Sequence, residues 1–333
     1  MSQTWPEAVA DLIQLQHAAE THSLLVAADR AGLLDLLANG TTAARASDAL
    51  GLRVVRVAAV LDVLAAHSIA TCDGDAWQLL PGWQELVLGQ SPLAIEALLG
   101  AGRVRAEQVA HALEKADDYW ALAPEDRLLV ARGMSFDPST EAGVAMCRTA
   151  TESMTGLVDA LEAGGSILEL GCGVASRLTA ALRAFPAATA VGVELDPGLV
   201  EWGRERADQL GVGDRLELVV ADAAEFEPEQ LFDQVGWSQF FFPEEYRVGA
   251  LATARLALRP GGWVSMPVIT DGVPLEVASP QHQELASERV VLDLWRVPVK
   301  STHDVMAELE GAGFVDVHVV AAPDVWFVRG RQP

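Results

Sequence analysis

The stretch Ile167-Leu168-Glu169-Leu170-Gly171-Cys172-Gly173-Val174-Ala175 decides the fold. An apolar run of strand length leads at once into two glycines, and Leu178, Ala181 and Leu182 then continue on a helical period, giving strand, turn, helix. Glycine at 171 and 173 lets the backbone approach a ligand, because a side chain there would occupy the space the ligand needs. A glycine pair also serves plain turn geometry, and Ala175 stands at the third small position, where a dinucleotide-binding loop carries glycine.

Downstream, short β-branched runs alternate with helical stretches, the pattern of a parallel sheet covered on both faces. Strands are expected at 166–170, 190–195, 216–221, 232–238 and 262–269, with a terminal hairpin of 315–320 and 325–328 around Pro323-Asp324. Glu194 ends the second strand, 21 positions after Gly173, where a carboxylate can accept ribose hydroxyl hydrogens. Asp222 ends the third strand, where it can accept from an adenine amino group. Each acid alone also reads as a helix cap or a surface residue. Together, at the carboxyl ends of successive strands, they outline a nucleoside crevice.

Upstream, the chain is helical. Apolar spacing predicts helix over 6–30, a short helix through Leu33, Leu34 and Leu37, one capped by Thr41 or Thr42, and one containing Val54, Val57, Leu61 and Leu64. Asp73-Gly74 between two short β runs adds a hairpin, completing a winged-helix outline. Residues 41–80 hold three arginines against four aspartates, so a basic DNA footprint is missing, and a dimerisation module is preferred over DNA binding or a plain helical lid. Further helices are expected over 93–104, 107–113, 127–131 and 144–161, with a loop at 135–138. The expected domains are 1–92 for dimerisation, 93–163 as a helical connector covering the site, and 164–333 as the cofactor-binding part.

Composition narrows the partners. Of 333 residues, 23 are Lys or Arg and 47 Asp or Glu, a net charge of −24 that would repel phosphate backbones and anionic lipid. Cys72, Cys147 and Cys172 are far apart, without disulfide or thiolate-metal spacing, and the seven histidines show no HxH or HExxH pattern, so no metal is expected. The first residues lack the basic and continuous apolar regions of an export signal, and a cytoplasmic setting is expected.

Through Glu-Leu-Gly-Cys-Gly at 169–173, Gly192-Val193-Glu194, Ala221-Asp222-Ala223 and Leu258-Arg259-Pro260-Gly261-Gly262, the sequence resembles the class I S-adenosylmethionine-dependent methyltransferases. The resemblance extends over the whole chain to the two-domain small-molecule O-methyltransferase type, and implies an α/β Rossmann-like domain, a winged-helix N-terminal domain and an intertwined homodimer. It also implies S-adenosylmethionine held by Glu169, Gly171, Gly173, Glu194, Leu195, Asp222, Ala223, Trp237 and Ser238. For a small aromatic acceptor it points to Tyr119, Trp120, Phe136, Phe240, Phe241 and Trp295, although core packing also explains such aromatic residues.

The chain departs from the family at one decisive place. The histidine that removes a phenolic proton is replaced by Phe240, so no general base acts from there. Nitrogen or an electron-rich carbon reacts by positioning alone, whereas a phenol gains about 10²–10⁴-fold from a base. The expectation is therefore C- or N-methylation in natural-product metabolism. The alternatives are O-methylation with a relocated base, for which His282, His303, Glu244 and Glu245 are candidates, a non-methylating reaction that exploits the sulfonium, or a cofactor-sensing regulator.

Overall fold

The computed structural model describes residues 4–113, 119–268, 279–322 and 326–333. Helices Trp5–Arg30, Leu33–Ala38, Ala43–Leu50 and Val54–Ala66 precede a hairpin. β1 (Thr41–Thr42), β2 (Ala70–Asp73) and β3 (Ala76–Leu79) form a small sheet in the order β1-β3-β2. The Thr42 hydroxyl accepts the Arg45 N–H at 3.2 Å and starts the third helix, and Gly74 at φ 64° closes the wing. The winged-helix outline is present, with Leu34, Leu37, Leu61 and Leu64 fully buried at its centre.

The connector forms helices Ile95–Ala110, Pro124–Gly133, Glu141–Glu152 and Leu157–Glu162. Residues 93–113 thus give one helix where two were expected. The helix expected over 144–161 is instead two, because Gly156 takes φ 77° and restarts the chain. Among the described residues the connector has no core of its own. Ile95 and Leu99 join the winged-helix core, Val104 and Val130 pack with Val291, Leu292 and Trp295, and Cys147 and Met154 pack under the main sheet.

β4 (Ser166–Leu170), β5 (Thr189–Glu194), β6 (Leu216–Val220), β7 (Phe232–Trp237), β8 (Leu258–Val268), β9 (Val315–Ala321) and β10 (Trp326–Arg331) build a seven-stranded sheet. Its order is β6-β5-β4-β7-β8-β10-β9. β4 to β8 pair in parallel, and β10 runs antiparallel to β8 and β9. β8 begins earlier than the sequence suggests, taking in Arg259-Pro260-Gly261-Gly262. The register against β7 slips between Phe232 and Gln234, and Gly261 at φ 82° donates its N–H to the Gln332 carbonyl. The expected hairpin turn at Pro323-Asp324 and the strand end at Ile269 lie outside the described residues. β4 is buried along its whole length between two apolar layers, which explains its unbroken apolar reading.

Candidate functional site

The strand order reverses between the parallel neighbours β4 and β7, and ligands of open α/β sheets bind outside the carboxyl ends of the strands at such a switch point. A cavity of about 580 Å³ opens there. Gly171, Cys172, Gly173, Glu194, Leu195, Asp222, Ala223 and Ser238 line it on the sheet side, and Tyr119, Trp120, Phe240 and Phe241 on the other.

Glu194 organises the loop. Its Oε2 accepts the Gly173 N–H at 2.8 Å, and its Oε1 accepts the Leu195 and Asp196 N–H groups at 2.8 and 3.0 Å. Three of the four acceptor sites of the carboxylate are thereby taken, and the remaining one, on Oε2, is left for a ligand hydroxyl where two had been expected. Burial pushes its pKa above the usual carboxylate range, against the opposing pull of those three N–H groups. Asp222 Oδ1 accepts the Ala224 N–H at 2.8 Å, which fixes the carboxylate against the start of the next turn.

The two glycines serve different ends. A Cβ on Gly173 would meet nothing within 4 Å and would project into open space, so this position is the cradle a ligand can approach. A Cβ on Gly171 would lie 2.6 Å from Phe242 Cε2, so Gly171 is required by an aromatic neighbour before any ligand is bound. Open backbone at Gly173, one acceptor site on Glu194 and the Asp222 carboxylate just beyond the end of β6 together fit an adenosine-type cofactor.

Two of the expected cofactor residues lie behind this wall. Glu169 is buried, pairs with Arg177 Nε at 2.8 Å and accepts from the Ser238 hydroxyl at 3.3 Å. Trp237 is buried with its ring beneath the Arg247 guanidinium at 4.8 Å and edge-on to Phe242. Both shape the wall from the core side.

On the opposite side Trp295 stacks on Phe241 at 5.7 Å, meets the Tyr119 ring edge-on and donates its indole N–H to Gln108 at 3.2 Å. It is fully buried and supports the cavity without lining it. Tyr119 does line the cavity, and burial together with the charge of Glu194 holds its phenol far above the usual range, so it is neutral and cannot serve as a base at neutral pH. The connector is clamped over the nucleoside end by Arg127, whose Nε donates to Asp196 at 2.6 Å while its guanidinium sits over the Trp120 ring. Phe136 is elsewhere, in a separate depression of about 310 Å³ with Arg132, Trp202 and Arg206.

The candidate bases also separate. Glu244 is exposed and paired with Lys300 at 2.8 Å. His282 follows the cap of its helix, where its N–H donates to Ser279, and His303 is exposed at the start of helix Thr302–Gly311. None of the three lines the cavity, but Glu245 does.

Residues 167–262 match the family described as a methyltransferase domain. The whole chain also superposes on solved structures. An O-methyltransferase family protein from Burkholderia thailandensis aligns with TM-score 0.75 and 18% identity over 100% of this chain and 99% of that one. Mitomycin 7-O-methyltransferase gives 0.71 and 18% over 99% and 100%, and human N-acetylserotonin methyltransferase in complex with S-adenosylmethionine gives 0.74 and 15% over 100% and 99%.

The chain carries a methyltransferase domain in the two-domain O-methyltransferase fold.

Among curated proteins, the ribosomal protein L11 methyltransferase of Erwinia tasmaniensis is 36% identical over 87 residues, 26% of this chain and 27% of that protein. The chain spans between about a quarter and half of the length of the curated relatives it matches first. Within the methyltransferase domain and its connector, sequence reasoning left unassigned Cys172, Met134, Ser135, Tyr246, Pro267 and Arg296, all of which line the cavity. Cys172 lies inside the glycine turn itself, and Arg296 directly follows Trp295, which the sequence had already placed toward the acceptor, so both were within reach. Met134 and Ser135 follow the end of a connector helix and carry no pattern of their own.

Proposed function

We propose that this protein is an S-adenosylmethionine-dependent methyltransferase acting on a small aromatic or heteroaromatic acceptor of natural-product metabolism, working as a homodimer. The observation that carries the reading is Glu194, held by three backbone N–H groups at the rim of a cavity whose far side is aromatic. When bound, the cofactor supplies an electrophilic methyl group on a sulfonium. Gly173 leaves room for its methionine portion, Glu194 takes a ribose hydroxyl, and Asp222 takes the adenine amino group.

Phe240, Phe241 and Trp120 line the acceptor side, where their apolar rings orient the nucleophile and exclude water from the reacting centre. With phenylalanine at 240 and both candidate histidines off the wall, nitrogen or carbon is the acceptor atom that needs no base. A second reading, O-methylation, is favoured by Glu245, the one candidate carboxylate on the cavity wall, which would receive the hydroxyl proton. Incubation with methyl-labelled cofactor and paired phenol and arylamine acceptors separates the two. Label on nitrogen or carbon that survives Glu245→Gln supports the first reading, and label on oxygen abolished by that change supports the second. Turnover without consumption of cofactor overturns both.

A further inference from the structure

Among the described residues the cavity wall carries one guanidinium, Arg296, for which neither cofactor binding nor methyl transfer has a use. Its backbone is set with care. Helix Pro280–Leu294 ends at Trp295, after which Arg296 takes the left-handed conformation at φ 58°, a place usually given to glycine or asparagine. The Arg296 N–H donates to the Asp293 carbonyl at 2.9 Å and the Val297 N–H to the Leu292 carbonyl at 2.8 Å, closing the turn. Trp295 and Val297 on either side are buried, and Trp295 is fixed by its stack on Phe241 and its bond to Gln108. The left-handed backbone costs about 1–2 kcal/mol for a residue other than glycine, and it is pinned here by buried residues that support the aromatic wall from behind.

The side chain has no hydrogen-bond or ion-pair partner among the described residues. Nearly every other arginine of the methyltransferase half has one: Arg177 holds Glu169, Arg206 holds Asp137, Arg247 holds Glu308 and Arg331 holds Asp316. Arg296 is thus an exposed cation on the wall of a cavity walled by aromatic rings. A guanidinium presents a planar fork that matches a carboxylate with two parallel hydrogen bonds, and the neighbouring rings can stack on the plane of the same ligand. Among the described residues the other charged groups of the wall are Glu194, Asp222 and Glu245, so Arg296 is the place there where the charge of an anionic acceptor is met.

We infer that Arg296 selects acceptors that carry a carboxylate on an aromatic ring, holding that group while the nucleophile elsewhere on the ring faces the methyl. The inference rests on the methyltransferase reading above, and its test uses binding so that the two can fail separately. Full-length protein saturated with S-adenosylhomocysteine is titrated with anthranilate and salicylate and with their neutral amides, followed by ligand fluorescence. The acids should bind about ten- to hundredfold more tightly than the amides, the range expected for a charge-assisted pair. Arg296→Gln should erase that preference while S-adenosylhomocysteine affinity, read by calorimetry, stays unchanged, and Arg296→Lys should restore part of it.

Equal affinity for acids and amides, no binding of either acid, or a preference that survives Arg296→Gln overturns the inference. If S-adenosylhomocysteine does not bind the unaltered protein, the methyltransferase reading falls instead. An acid preference measured without the cofactor product would then still assign the anion to Arg296.

Discussion

Gly171 and Gly173 are two residues apart and take the same left-handed backbone, at φ 68° and 56°, yet a methyl group added to each should have different consequences. Gly173→Ala adds a Cβ that meets no protein atom, so beyond a backbone cost of about 1–2 kcal/mol the damage falls on the ligand. Calorimetry should show S-adenosylhomocysteine affinity dropping more than tenfold while the melting temperature moves by a few degrees. Gly171→Ala drives the same methyl into the Phe242 ring and should lower the melting temperature by much more.

Glu194 gives a pH signature. Its pKa in the free protein is raised by burial, whereas hydrogen bonds from a ribose require the ionised form. Cofactor affinity should therefore fall as pH drops, starting above the range of an ordinary glutamate and losing about tenfold per pH unit below that point. Glu194→Gln should bind weakly at every pH, with that slope removed. The stability of the free protein has the opposite sign. A raised folded pKa contributes stability that is present at low pH and is lost as pH rises through it, so chemical denaturation with and without the ligand should show opposed trends across the same window.

At the scale of elements, the chain between β7 and helix Glu244–Ala257 carries Phe240 and Phe241 and is held from beneath by one buried ion pair. Arg247 donates to both oxygens of Glu308, at 2.9 and 2.5 Å, and to the Gln239 side chain at 2.9 Å. Arg247→Met leaves Glu308 with Lys300 alone and releases Gln239, and breaking such a pair costs about 3–5 kcal/mol. Urea unfolding should register that loss, and the acceptor KM should rise more than the cofactor Kd because the loop belongs to the acceptor side. Nothing in the sequence marks Arg247 and Glu308 as partners, because they are 61 positions apart and both read as surface charges.

Elements with local causes were legible. β4 is apolar because it is buried on both faces, the wing follows Asp73-Gly74, and Glu194 bonds to the glycine turn at the spacing from which it was noticed. Breaks decided by a single glycine were not. Apolar periodicity runs through Gly156 without interruption, and only its backbone angle divides the helix. Glu169 and Trp237 share the ends of the right strands with true wall residues, and side-chain direction, which sequence does not encode locally, puts them behind it.

For the whole molecule, the first helix presents the outstanding physical problem. Every residue from 4 to 20 is exposed, including Trp5, Val9, Leu12 and Ile13, whose spacing of i, i+4, i+7 and i+8 forms one apolar stripe. A helical segment of this length without packing is marginal in water, and most helical stability in proteins comes from burial of such a face. No helix among the described residues is long and apolar enough to cross a membrane. The overall net charge of −24 disfavours a nucleic acid or an anionic lipid as the covering partner. A second copy of the chain brings the same stripe and can cover it by two-fold symmetry.

Burying each large side chain contributes about 1.5–3 kcal/mol, so four on each of two chains supply enough to hold a dimer at micromolar concentration. Sedimentation velocity should therefore give a species of twice the 35.4 kDa chain mass. Leu12→Asp with Ile13→Asp should convert it to monomer while leaving the methyltransferase domain folded, as judged by retained S-adenosylhomocysteine binding. A monomer in the unaltered protein at every concentration would sink the assignment of this face to self-association.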